Sequence, residues 1–166
     1  IPEFIALGAI EPLDDEIAAS PSFHVADFFP GVWDSGVVEG RAYAVPWYVE
    51  TRLPFYRTDI LRESGIAATP RSWDEWRTAM AAIKRHVGPE RYAILLPLNE
   101  FEPLLSLAVQ QPEPLVRDGG RYGNFRSAGF KQALGFYKEM FDQQWAPVVT
   151  NNQISNVWDE FGKGFF

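Results

Sequence analysis

Cysteine is absent from the 166-residue chain, and histidine occurs only twice, as His24 and His86. The lack of thiols excludes disulfide bonds, cysteine nucleophiles and zinc sites that contain cysteine. The two histidines stand far apart, so the HExxH pattern of zinc peptidases is excluded as well. No metal and no cofactor is predicted, and any site chemistry has to come from carboxylate, amide, guanidinium and aromatic side chains.

Long apolar runs, basic clusters and the common nucleotide-binding motifs are also missing. Apolar runs such as residues 94–98 are far shorter than the roughly 20 residues that a membrane-spanning helix needs. A net charge of −7, from 15 Lys and Arg against 22 Asp and Glu, argues against nucleic acid as a partner. The motifs GxGxxG, GxxxxGK[ST] and GxSxG do not occur, so dinucleotide-binding, P-loop and α/β-hydrolase functions lack motif support.

Aromatic residues are abundant, at 15% of the chain including six tryptophans. Such side chains bury large areas and usually lie in cores. Their flat apolar faces also suit contact with sugar rings, beside acidic and amide groups that bind hydroxyls. Composition alone leaves both interpretations open.

Residues 48–56 are rich in Val, Thr, Leu, Phe and Tyr, which predicts a β-strand. Because side chains alternate between the faces of a strand, one face would carry Val49, Leu53 and Phe55 into the core. Glu50 and Arg52 would then share the opposite face. They form either a surface ion pair or a polar site that faces a cleft.

Helix signals surround this strand. Ser72 and Glu75 predict a capping box at the start of a helix that runs to Val87. Ser127 predicts the start of another long helix, and residues 91–96 predict a buried strand between the two. The expected apolar stripe of the second helix consists of Phe130, Leu134, Tyr137 and Phe141. Strands that alternate with helices predict an α/β domain.

Several segments, in order, resemble the maltose-binding-protein-like solute-binding proteins of ABC sugar importers. Residues 43–61 resemble the first interdomain crossover of that family, and residues 70–76 resemble the start of a helix that follows it. The further segments that resemble the family are residues 8–14, 99–103, 118–120, 127–137 and 161–164. The resemblance covers essentially the whole chain.

The resemblance implies an α/β, periplasmic-binding-protein-like (type II) fold of two lobes that close on a carbohydrate. Residues 1–45 would belong to the first lobe, residues 46–49 to the crossover, and residues 50–166 to most of the second lobe. The chain would be an internal portion of a longer protein that lies in the periplasm or on the cell surface. Its expected partners are a carbohydrate and a membrane permease, and it is expected to be a monomer without enzymatic activity.

The resemblance also implies site residues. Glu50 matches a sugar-contacting carboxylate just after the crossover, and Glu102 matches another in a second-lobe loop, with Asn99 nearby. The remaining candidates for the same cleft are Trp47, Tyr48 and Arg52. Leu104 and residues 110–114 depart from the family pattern, which leaves the size and identity of the sugar open. Trp145 and Trp158 are assigned either to the core or to the cleft wall.

Two other functions remain possible on the sequence alone. A glycoside hydrolase or lyase needs a pair of carboxylates, which Glu50 and Glu102 could provide, with Glu100 as a further candidate. A carbohydrate-recognition module that acts by itself is the third possibility.

Overall fold

The computed structural model describes all residues from Ile1 to Phe166, and these form two units. Unit 1 comprises Ile1–Thr51 and unit 2 comprises Arg52–Phe166. The helices of unit 1 are α1 (Pro2–Ala6), α2 (Asp14–Ala19) and α3 (Pro30–Asp34), with a 3₁₀ turn at Val25–Asp27. Its strands are β1 (Val37–Val38) and β2 (Arg41–Ala42).

Unit 2 contains five further helices, a second hairpin and a second 3₁₀ turn. The helices are α4 (Thr58–Glu63), α5 (Trp73–Val87), α6 (Glu102–Ala108), α7 (Ala128–Asp142) and α8 (Val157–Lys163). The strands are β3 (Val116–Arg117) and β4 (Tyr122–Gly123), and the 3₁₀ turn is Asn151–Gln153. Both hairpins are antiparallel and two-stranded, so the chain has no larger sheet.

The hairpin of unit 1 turns tightly between its strands. Glu39 and Gly40 both have positive φ, 50° and 79°, which is the twist that a two-residue hairpin loop requires. Asp14, the first residue of α2, accepts a hydrogen bond from the backbone N of Ala42 at 3.2 Å. The hairpin is therefore joined to α2.

The core of unit 2 lies where α5 meets α7. Its buried cluster consists of Met80, Leu96, Phe136, Met140, Trp145 and Ala146. Trp73 stacks on Phe136 with ring centroids 4.8 Å apart, and Arg77 covers the Phe136 ring while its Nε donates to Glu139. The two 15-residue helices are thus held by aromatic packing and by an ion pair at its edge.

Serine caps begin both long helices, as predicted. The Ser72 hydroxyl accepts from the backbone N of Glu75, and the Ser127 hydroxyl accepts from that of Phe130, each at 3.2 Å. The predicted capping box is only half right. The Glu75 carboxylate accepts from the backbone N of Arg71, at 2.7 Å, instead of from that of Ser72.

The apolar stripe predicted for α7 is displaced by one residue. The side chains buried on this helix are Ala133, Phe136 and Met140, whereas Leu134 is exposed. Tyr137 and Phe141 flank the core and pack against each other. A shift of one residue rotates the buried face by about 100°, and α5 selects that face by placing Trp73 over Phe136.

The two predicted strands are extended segments without a ladder. Residues 44–56 form no backbone hydrogen bond, and Val49, Leu53 and Phe55 are exposed. The predicted core face is therefore wrong for this chain, because no neighbouring strand pairs with the segment or covers it. Residues 91–96 are mostly half-buried and form isolated backbone hydrogen bonds instead of a ladder. Tyr92 N donates to Phe165 O, and Ala93 N and Ile94 N both donate to Trp145 O.

Arg57 ends the extended segment and joins two helices of unit 2. Its guanidinium donates to both carboxylate oxygens of Asp59 at the start of α4. It also donates to the backbone O of Phe161, at 3.3 Å, and of Gly162, at 2.8 Å. These two carbonyls lie in the last turn of α8, and Phe161 O also accepts from the backbone N of Gly164, at 3.0 Å.

Candidate ligand-binding site

Arg52 lies between two carboxylates of unit 2. Its Nη1 is 3.4 Å from Glu100 Oε2, and its Nη2 is 3.3 Å from Glu102 Oε1. The planar guanidinium thus faces one carboxylate with each terminal nitrogen. Arg52 therefore pairs with Glu100 and Glu102, and the Glu50–Arg52 ion pair considered from the sequence is not formed.

Two asparagines extend this polar cluster. Asn151 Nδ2 donates to Glu100 Oε1 at 2.6 Å, and the backbone N of Asn151 donates to Asn99 Oδ1 at 2.9 Å. We call the five residues Arg52, Asn99, Glu100, Glu102 and Asn151 the polar cluster. It combines donors and acceptors of the kinds that bind sugar hydroxyls.

Backbone contacts between two loops hold most of the cluster in place. The loop of residues 97–101 follows the buried end of the 91–96 segment, and Leu98 N donates to Val149 O at 2.9 Å. Asn151 begins the 3₁₀ turn two residues beyond Val149. Glu102 is the first residue of α6, so a helix positions the carboxylate that lies past the loop.

Tyr137 of α7 is affected by the charge of the polar cluster. Burial, together with the nearby negative charge of Glu100, raises the pKa of the Tyr137 hydroxyl. Tyr137 also packs against the buried core of unit 2. The polar cluster is thus close to the aromatic edge of the core.

The remaining predicted residues lie at the end of unit 1. Trp47 is 92% exposed, and Tyr48 and Glu50 are also exposed. Their exposure leaves all three accessible to a ligand. None of them belongs to the polar cluster, which consists of unit 2 residues only. Of the six residues predicted for the site, the structure brings together Arg52, Asn99 and Glu102.

Trp145 and Trp158, which the sequence left between core and cleft wall, lie in different environments. Trp145 belongs to the buried core, whereas Trp158 is exposed on α8 and meets the edge of Phe55 with ring centroids 5.6 Å apart. Asn151 was not predicted, and Glu100 was considered only as a catalytic carboxylate. Neither has a local sequence signal, because they are joined across 51 residues of chain.

The model of the family described as "bacterial extracellular solute-binding protein" matches residues 1–164. The chain belongs to this family. A solved structure of the sugar-binding protein MalE from Xanthomonas citri is 56% identical, with a TM-score of 0.84 over 99% of this chain and 42% of that protein. The diacetylchitobiose-binding protein DasA of Streptomyces coelicolor is 27% identical over 132 residues, which are 78% of this chain and 31% of DasA.

Fold similarity extends to a protein of much lower sequence identity. UgpB from Mycobacterium tuberculosis, solved with glycerophosphocholine, has a TM-score of 0.77 at 19% identity, over 98% of this chain and 42% of that protein. The predicted type II periplasmic-binding-protein fold is therefore confirmed. The chain spans about two fifths of the length of these structures.

The family is described as one of extracellular solute-binding proteins, which agrees with the predicted non-enzymatic class, and these relatives give the glycosidase alternative no support. No cluster of His, Asp and Glu side chains is arranged to hold a metal ion. None of the helices has the length and apolar character needed to cross a bilayer.

Proposed function

We propose that the full-length protein is the substrate-binding component of an ABC importer. It binds a mono- or oligosaccharide reversibly and delivers it to a membrane permease. The polar cluster around Arg52 is the observation that carries this proposal, because it joins hydroxyl-binding groups in a chain of the solute-binding family. The similarity to MalE and DasA, a sugar-binding and a diacetylchitobiose-binding protein, supports a carbohydrate as the solute.

Each predicted site residue has a chemical role in this proposal. Glu102 accepts hydrogen bonds from sugar hydroxyls, and Arg52 and Asn99 donate to ring or hydroxyl oxygens. Glu50 supplies a second carboxylate acceptor. Trp47 and Tyr48 cover the apolar face of a pyranose ring, for which their exposed rings are suited.

The proposal includes the organisation of the whole protein. Residues 1–45 belong to the first lobe, residues 46–49 to the crossover, and residues 50–166 to most of the second lobe. The protein works as a monomer in the periplasm or anchored at the cell surface. Its acidic composition is in keeping with a partner other than nucleic acid.

Ligand-observed NMR of the full-length protein against pooled mono- and oligosaccharides tests the function. We expect attenuated signals from bound sugars whose chemical structure stays unchanged. New anomeric signals that grow with time would instead identify a hydrolase. Intact signals with no attenuation for any sugar would overturn the carbohydrate proposal.

A pair of variants locates the binding chemistry. Glu102→Gln keeps the shape of the side chain but removes its charge, and we expect the affinity for the bound sugar to fall about tenfold or more, because hydrogen bonds to charged groups are the stronger ones. Glu63→Gln is the matched control, since Glu63 lies 3.3 Å from His86 outside the polar cluster. Equal affinities for the two variants would remove Glu102 from the site.

A further inference from the structure

Glu100 is the most shielded charged side chain of the polar cluster. Its side chain is 26% exposed, against 38% for Glu102 and 48% for Arg52. Both of its carboxylate oxygens already have protein partners, since Oε1 accepts from Asn151 and Oε2 from Arg52. Glu102 differs, because only its Oε1 lies beside Arg52 and its Oε2 has no hydrogen-bond partner.

Arg52 depends on these side-chain contacts for its orientation. It belongs to residues 44–56, where no backbone hydrogen bond fixes the segment beside the polar cluster. A long side chain on such a segment samples many rotamers unless partners select one. The available partners are Glu100 and Glu102.

Glu100, in contrast, is attached to a restrained pair of loops. Asn151 is bonded through its backbone N to Asn99 and through its amide to Glu100, and Leu98 N is bonded to Val149 O. Glu100 therefore connects the loop pair to Arg52. The connection is one charged hydrogen bond at 3.4 Å.

We propose that Glu100 is a positioning residue, which holds the Arg52 guanidinium beside Glu102 so that Arg52 and the free oxygen of Glu102 face the ligand together. Glu100 acts through Arg52 and does not itself bind the sugar. The inference rests on the proposed function, because the role concerns the saccharide site. It separates the two acidic residues of the cluster into one that orients and one that binds.

The first test observes Arg52 without any ligand. In ¹⁵N NMR of the full-length protein, the terminal nitrogens of Arg52 should show slow rotation in the wild type, assigned by their loss in Arg52→Lys. Glu100→Gln keeps an oxygen for Asn151 but removes the charge that faces Arg52, so the rotation should become fast. Unchanged Arg52 signals in Glu100→Gln would overturn the positioning role whether or not any sugar binds.

The second test measures coupling in binding, with maltotriose and diacetylchitobiose as the probes in calorimetric titrations. Glu100→Gln and Arg52→Gln should each lower the affinity on the order of tenfold, and the double variant should lose no more than the worse single variant. Multiplied losses would mean that Glu100 acts independently of Arg52, which contradicts the proposal. Glu63→Gln again serves as the control for an exposed charge change.

The two proposals fail in different ways. If neither sugar binds the wild-type protein and the wider panel also gives no binding, the proposed function is overturned together with the role of Glu100 in it. If sugars bind but Glu100→Gln binds them as well as the wild type does, only the positioning role is overturned.

Discussion

Helices α5 and α7 and the extended segment of residues 44–56 both carry many bulky apolar side chains, yet only the helices bury them. On α5 and α7, Met80, Phe136 and Met140 are almost fully enclosed. In the segment, Val49, Leu53 and Phe55 are exposed, and the backbone is unpaired. An apolar side chain is thus buried only where another element of the structure packs against it.

The helices and the extended segment also differ in the bonds that hold them in place. The long helices satisfy their backbone groups internally and begin at serine caps. Arg52 and Arg57, at the unit 2 end of the segment and just beyond it, instead use their guanidinium groups to reach other parts of the chain. In this part of the chain, charged side chains make the long-range contacts that backbone pairing does not make.

Hydrogen exchange should show the largest contrast between the two regions. We expect amides in the middle of α5 and α7 to exchange ~1000-fold or more slowly than those of residues 44–56, because core helices open only with the whole unit. Mass spectrometry of the 166-residue chain after pulsed deuterium labelling measures this. Strong protection across residues 44–56 would contradict the absence of backbone pairing there.

Phe136→Ala should cause the largest loss of stability among single substitutions. Phe136 stacks on Trp73 inside the core, and removing such a side chain costs about 3–5 kcal/mol of unfolding free energy. Urea denaturation monitored by circular dichroism measures the loss. Leu134→Ala, at an exposed position of the same helix, is the control and should cost less than about 1 kcal/mol. A larger loss for Leu134→Ala than for Phe136→Ala would mean that the stripe predicted from the sequence is the buried one, and equal losses would contradict the difference in burial.

Ser72→Ala should destabilise α5 by a smaller amount. The hydroxyl accepts from Glu75 N, and loss of such a cap costs about 1 kcal/mol. Ser72→Thr keeps the acceptor and should recover most of the stability, as seen in the urea midpoint. Ser155→Ala, at an exposed serine without such a bond, is expected to leave the midpoint unchanged. A cost at Ser155 equal to that at Ser72 would argue against the cap.

The smallest expected effect concerns pH. The side-chain hydrogen bond from Arg57 lowers the pKa of Asp59 from 3.8 to about 2. Because the folded-state pKa is the lower one, the pair stabilises the fold fully above pH ~4, and this contribution is lost as the pH falls toward 2. Asp59→Asn should therefore make the pH dependence of the unfolding free energy shallower across this range. Asp142→Asn, at the exposed end of α7, is the comparison, and an identical change in both variants would rule out a specific Arg57 effect.

Local signals explain most of what could be predicted of the fold. The caps at Ser72 and Ser127 lie where the two long helices begin, as predicted, and Gly8, Gly65 and Gly164 have positive φ just past helix ends, where glycine is favoured. Each depends on bonds or steric limits within about four residues. The buried face of α7 could not be predicted so well, because Phe136 and Tyr137 are adjacent aromatics and only the position of Trp73 decides between them.

The candidate site divides in the same way. Glu102 and Asn99 came from a resemblance to a family motif, and Arg52 from its place in an apolar segment. Asn151 and the orienting contacts of Glu100 could not be predicted, since they join residues about 50 positions apart. Sequence patterns that repeat every few residues carry no information about such a distant pair.

The sequence by itself determined the positions of the long helices, the lack of thiol and zinc-finger chemistry, and the resemblance to sugar-binding proteins. These features depend on residue types and on spacings of a few residues, which are the same whatever the tertiary structure. Tertiary structure alone decided which apolar side chains are buried and which carboxylate faces each nitrogen of Arg52. Burial and ion pairing need two elements to approach within a few ångströms, and that approach depends on how the whole unit packs.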